Sequence, residues 1–206
     1  MQTVLSARPP NGGLVFVLSG PSGVGKDSVM NCLRDEPLDL HYCVTATTRR
    51  PRPGEQHGIN HYFVEPDAFQ RMIAAGELLE WARVHDHFYG VPLVEVRRAF
   101  DRSLDVFMRV DVQGAASVRD RLAESILVFL APESLDDLSP RLRERGTETD
   151  EEMALRLANA QREMEALPHF DYLVVNRQGS LADSVARVRA IVLAERSRAT
   201  PRWVRV

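Results

Sequence analysis

Cys32 and Cys43 are the only cysteines in a chain of 206 residues. So small a number excludes a disulfide framework and a paired-cysteine zinc site, and both thiols are expected to be reduced. The chain also lacks an excess of either charge: 26 Lys and Arg stand against 29 Asp and Glu, a formal net charge of −3. That balance argues against a general nucleic-acid coat, which needs a basic face to neutralise phosphates. No apolar run approaches the length of a membrane span, and Met1 to Gly13 carries no charged-then-apolar leader pattern. The expectation is a cytoplasmic protein with no membrane partner. Internal repeats and low-complexity tracts are missing as well. What remains is an ordinary globular composition, 44% hydrophobic and 27% charged, sufficient for one sizeable core.

Short apolar runs alternate with helical patterns. Leu14 to Ser19, His41 to Thr47, Val106 to Asp111, Ile126 to Leu130 and Tyr172 to Asn176 read as strands, the third with an acidic end. Helical spacing follows Gly25 and recurs over Asp67 to Ala75, Glu151 to Leu167 and Ser180 to Ala194. Strands alternating with helices predict an α/β fold with a parallel sheet covered on both faces. Residues 1–13, with Pro9-Pro10-Asn11-Gly12-Gly13, read as a loose, flexible lead-in.

The first apolar run ends in Gly20-Pro21-Ser22-Gly23-Val24-Gly25-Lys26 and opens a helix, which is the setting of a phosphate-binding loop. Glycines let main-chain N–H groups close around phosphate oxygens, and the helix points its positive end at the anion. Lys26 reaches the β and γ phosphates as a point charge. The loop usually continues with Ser or Thr, whose hydroxyl holds Mg²⁺. Here Asp27 takes that place and Ser28 follows. A carboxylate beside phosphates repels them unless a metal sits between.

Beyond the loop, Thr45-Ala46-Thr47-Thr48-Arg49-Arg50-Pro51-Arg52-Pro53-Gly54-Glu55, Leu79-Glu80-Trp81, Tyr89-Gly90, Val110-Asp111-Val112-Gln113-Gly114 and Arg145-Gly146-Thr147-Glu148-Thr149 follow in order. Together these pieces resemble the guanylate kinase family over residues 14 to about 195. The resemblance implies a P-loop NTPase-type core (14–47 and 104–206), a small insertion for the nucleoside monophosphate (about 48–92) and a helical lid (about 138–158), all one domain over 14–206. It implies an ATP- and Mg²⁺-dependent kinase acting on GMP or dGMP, as a monomer or homodimer.

The family's roles carry over position by position. Arg49 and Arg52 fall where the GMP phosphate is gripped, suited by the guanidinium fork. Thr45 and Tyr89 belong to the same acceptor site. Glu80 and Asp111 fall on the base-reading carboxylates. Guanine offers N1–H and N2–H₂ to such acceptors, whereas adenine N1 is itself an acceptor and leaves them unpaired. Arg145 and Arg156 fall on lid arginines that approach the transferring phosphoryl group, with Arg141 supporting, and Asn176 falls on the adenine-side loop.

Several positions depart from the family. Its phosphate-contacting tyrosine falls at His61, with Tyr62 adjacent, and either residue could serve. Its guanine-carbonyl donor falls at Val91, which cannot donate. Its acidic residue two places before the base-reading Asp falls at Arg109. Asp27 is therefore the candidate metal contact, and Arg109 is expected to pair with it or to face the phosphates. Two other functions stand beside the kinase. A ribose 1,5-bisphosphate phosphokinase is suggested by Gly25-Lys26-Asp27-Ser28, and a non-catalytic binding module is the other.

Overall fold

Val15 to Ser19 (β2) is buried at every position and lies at the centre of a five-stranded sheet. The computed structural model describes residues 8–84, 86–138 and 150–206, with side chains from residue 155 in the last segment. The sheet holds β3 (Leu40–Tyr42), β8 (Asp105–Arg109), β9 (Ile126–Ala131) and β10 (Tyr172–Val175) besides β2. Its order is β10-β9-β2-β8-β3, and every pairing is parallel.

Strand side chains alternate between faces, so β2 feeds two separate cores. Phe16 and Leu18 join one cluster with Val29 and Leu33 of α1 (Lys26–Arg34) and Val188 and Val192 of α6 (Leu181–Arg196). Val15 and Val17 join the other with Val96 and Ala99 of α3 (Leu93–Asp101) and Ala115 and Val118 of α4 (Val112–Arg121). Burial on both faces explains why β2 reads as a continuous apolar run.

A second, four-stranded sheet has the order β5-β4-β7-β6, formed by His61–Phe63, Thr45–Thr47, His87–Pro92 and Leu78–Val84 respectively. It packs on α2 (Pro66–Ala74) through a small core of Ala46, Phe69 and Leu78, with Phe69 stacked on Phe88 at 5.5 Å. The run His41 to Thr47, expected as one strand, is two strands in different sheets. The chain leaves the large sheet at Cys43, whose N–H bonds the Phe107 carbonyl at 3.0 Å, and re-enters pairing at Thr45. Continuous β-propensity across residues 41–47 hides that change of partner. The large sheet's share of this segment thus ends at Tyr42, short of residue 47.

The lead-in is partly structured. Gly12–Gly13 (β1) pairs antiparallel with Val204–Arg205 (β11) near the C-terminus. Arg8 donates to Asp105 Oδ1 at 3.0 Å and to the Leu104 carbonyl. The tail is fixed from its other side by Arg202, which donates to Asp171 and to Glu195, each at 2.8 Å. Cys32 and Cys43 are both free. Among the described residues no helix is long and apolar enough to cross a membrane.

Candidate active site

The loop between β2 and α1 is shaped by glycines in the left-handed region. Gly20 has φ 138°, and a Cβ there would land on the Leu130 carbonyl oxygen. Gly25, φ 102°, caps α1, and a Cβ there would lie 2.6 Å from Asn176 Nδ2. The Lys26 ammonium folds back on its own loop, donating to the Gly20 carbonyl and to the Pro21 carbonyl at 3.0 Å. Its charge thus stands inside the cradle before any phosphate does.

Asn176 is buried beneath the loop. Its amide donates to the Val24 carbonyl at 2.8 Å, and its oxygen accepts from Ser184 Oγ at 2.8 Å. This side chain, expected on the adenine-side loop, braces the phosphate-binding loop from below. Across the loop's mouth stands Glu163, from α5 (Asp150–Met164), whose Oε2 accepts from the Ser22 N–H at 3.1 Å. Burial raises its pKa, against the pull of Lys26. Sequence reasoning missed Glu163. The available signal was its spacing from Arg156, two helical turns earlier on the same face.

In the loop after β4, both Arg49 Nη atoms meet Glu55 at 2.9 Å, and Glu55 Oε2 also accepts from the Arg52 N–H at 2.7 Å. The Arg49 hydrogen bond is the main reason the Glu55 carboxyl falls to about 2. Glu55 therefore presets the loop that carries both arginines. Tyr62 points elsewhere, its phenol donating to Glu95 Oε1 at 2.9 Å. His61, only 7% exposed, lines the cleft with Arg49, Arg52 and Tyr89, and its ring lies edge-on to Tyr89 at 6.1 Å. Burial first, then Arg49, lowers the His61 pKa. The alternation of β5 turns His61 toward this cleft and Tyr62 away from it, because neighbours in a strand face opposite ways.

Glu80 and Asp111 converge from different elements. Asp111, expected at a strand end, instead caps α4 and accepts from the Gly114 N–H at 2.7 Å, because β8 stops at Arg109. A Cβ on Gly114 would sit 2.7 Å from Glu80 Oε2 and 3.2 Å from Asp111 Oδ1, so glycine is what lets the two acids close together. Burial first, then Asp111, pushes the Glu80 carboxyl up to about 8. Val91, paired with Glu80 across the small sheet, is fully buried in the core. Thr45, Glu80, Tyr89 and Asp111 share one cleft with the phosphate-binding loop.

A family model described as guanylate kinase matches residues 13–195. The chain belongs to the guanylate kinase family. The guanylate kinase of Mycolicibacterium paratuberculosis is 49% identical over 171 residues, 82% of this chain and 77% of that protein. That of Halalkalibacterium halodurans is 44% identical over 183 residues, 89% of each chain. The solved guanylate kinase of Anaplasma phagocytophilum superposes with a TM-score of 0.75 at 30% identity, covering 91% of this chain and 88% of that one.

Within this guanylate kinase fold, the two unusual residues meet. Arg109 Nη1 forms an ion pair with Asp27 Oδ1. Arg156 lies on α5 and is half-buried. Arg141 and Arg145 lie outside the described residues.

Proposed function

We propose that the protein is a guanylate kinase that moves the γ-phosphoryl group of ATP onto the phosphate of GMP or dGMP. The observation that carries this reading is the convergence of Glu80 and Asp111 on one cleft that opens onto the Gly20–Lys26 loop. A paired set of carboxylates accepts from the N1–H and N2–H₂ edge of guanine. Adenine would leave them unpaired, a loss of about 10⁴-fold or more in a buried site.

The donor phosphates take the place of the Gly20 and Pro21 carbonyls as partners of Lys26, with the loop amides around them. Arg49, Arg52, His61 and Tyr89 hold the acceptor phosphate. One of its oxygens attacks the γ-phosphorus in line. A P–O bond forms there as the bond to the β–γ bridging oxygen breaks, and the electron pair leaves on ADP. Total charge is conserved and no proton moves, so an already ionised acceptor needs no general base. Closing residues then exclude water as a competing acceptor. Arg156, Arg145 and Arg141 are the lid cations assigned to the phosphoryl oxygens.

Among the described residues no cluster of three or more His, Cys, Asp or Glu side chains could hold a metal by itself. That suits an ion arriving with the triphosphate, since Mg²⁺ asks one or two protein carboxylates beside phosphates and waters. Asp27, next to Lys26 and with its side chain 55% exposed, would be its protein contact. Bound there, Mg²⁺ would neutralise charge on the β and γ oxygens.

A ribose 1,5-bisphosphate phosphokinase is favoured by Asp27-Ser28 alone, and a sugar phosphate gives Glu80 and Asp111 nothing to read. A coupled assay with ATP, Mg²⁺ and GMP, dGMP, AMP, UMP or ribose 1,5-bisphosphate tests the assignment. Turnover with GMP and dGMP alone is expected. Turnover with the sugar phosphate, or nucleotide binding without turnover, would overturn it.

A further inference from the structure

We propose that Arg109 is a catalytic cation standing between the donor and acceptor phosphates, and that Asp27 is a positioning residue that holds it there until nucleotides arrive. The inference rests on the kinase reading and adds to it a residue that contacts the group in transit. Three observations support it.

The first is place. Asp27 and Arg109 are lined up along both clefts, the one holding the phosphate-binding loop and the one holding Arg49, Arg52 and His61. The phosphoryl group has to cross between those clefts. Arg109 is the last residue of β8, in register with Leu18 of β2, so it leaves the sheet beside the loop that grips the donor. Carboxyl ends of parallel strands are where such folds bring ligands and reacting groups together.

The second is chemistry. Lys26 supplies a point charge at the donor, and the Arg49 fork is matched to Glu55 on the acceptor loop. A planar guanidinium between them can donate to oxygens of the transferring group, whose charge spreads over three equatorial positions. The Arg109 side chain is 19% exposed, so its field acts in a partly desolvated setting.

The third is the partner. The Asp27 carboxylate cancels the Arg109 charge in the ligand-free enzyme and sits one residue from Lys26. Arriving phosphates compete for the guanidinium, and the released carboxylate then faces the cation that accompanies ATP. Arg109 transfers no proton and forms no bond; it donates N–H hydrogen bonds to phosphoryl oxygens while the P–O bond to the acceptor forms and the one to ADP breaks.

The test is a double-mutant cycle of Asp27→Ser, Arg109→Gln and the pair, with Arg109→Ala as a second neutral variant should Arg109→Gln fold poorly. Turnover is read with ATP and GMP, and equilibrium binding of ATP is read by calorimetry with and without Mg²⁺. Arg109→Gln is expected to lower kcat about 10²-fold while the Kd of Mg-ATP moves about threefold or less. Asp27→Ser is expected to tighten Mg²⁺-free ATP roughly tenfold, and by a different factor in the Arg109→Gln background, where it relieves only its own repulsion of the phosphates.

Unchanged kcat in both Arg109 variants would remove Arg109 from catalysis. Independent, multiplicative effects on Mg²⁺-free ATP binding would show that Asp27 does not act through Arg109. If the unaltered enzyme turned over no GMP, the kinase reading itself would fall, while the binding cycle would still report on the pair.

Discussion

The Tyr62 phenol donates to Glu95 Oε1 at 2.9 Å, which leaves the adjoining His61 to line the cleft that holds Arg49, Arg52 and Tyr89. Glu95 also binds His41 at 3.0 Å and accepts from the Val44 N–H at 3.1 Å, so this one carboxylate joins the large sheet to the small one. Tyr62 is therefore occupied with holding two sheets together. Removing His61 by His61→Ala is expected to raise the KM for GMP about tenfold with a smaller effect on kcat. His61→Tyr is expected to bring the KM back toward the unaltered value. A KM indifferent to both changes would take His61 out of the acceptor site.

The Glu80 carboxyl, pushed up to about 8, is largely protonated in the ligand-free enzyme at neutral pH. Guanine needs the ionised form as an acceptor, so GMP affinity is expected to rise as pH increases through about 8. The stability sign runs the other way. A raised carboxyl pKa contributes stability that is full below the unfolded value of 4.5 and lost as pH rises through about 8. Glu80→Gln is thus expected to raise the melting temperature at pH above about 8 while lowering kcat/KM for GMP about 10²-fold. A GMP titration whose affinity is flat with pH would contradict the assignment.

Lys26 already stands in the cradle, bonded to the Gly20 and Pro21 carbonyls. Lys26→Ala removes the charge that follows the β and γ phosphates and is expected to cut transfer on the order of 10³-fold. Circular dichroism should show the fold retained. Retained activity would mean that the donor site lies elsewhere.

Asn176 spans the Val24 carbonyl and the Ser184 hydroxyl, and both partners are left buried when it is shortened. Asn176→Ala is expected to cost about 1–3 kcal/mol in urea unfolding. The KM for ATP should rise as well, because the loop loses its brace. A stability loss with no change toward ATP would restrict Asn176 to the core.

Glu195 is fully buried, and Arg202 bonds it from the C-terminal tail. Ending the chain after Thr200 removes that arginine together with the strand paired to Gly12–Gly13. Denaturant unfolding is expected to show a loss of about 1–3 kcal/mol, because Glu195 then keeps only the Tyr172 hydroxyl and Arg198 as partners. A truncated protein as stable as the full chain would show that the tail contributes nothing to the core.

What could be read from the sequence was whatever local periodicity and local chemistry encode. The apolar run Val15 to Ser19, the glycines of the phosphate-binding loop and the Arg49–Glu55 segment each announce themselves within a few residues. Steric rules on φ, burial on two faces and the geometry of a guanidinium fork act over that same short range. The parallel sheet followed from the alternation of strands and helices, and it is present.

Tertiary structure decided which of those pieces meet, although resemblance to the family already suggested the Glu80–Asp111 set and offered the Asp27–Arg109 pair as one of two arrangements. The break at Cys43 between two sheets, the convergence of Glu80 and Asp111 over Gly114, and the pairing of Asp27 with Arg109 join residues 31 to 82 positions apart. The same holds for Glu163 reaching Ser22 across 141 positions and for the tail closing on Glu195. Such contacts are fixed by packing and by the need of buried charges for partners, and neither leaves a mark in a window of sequence.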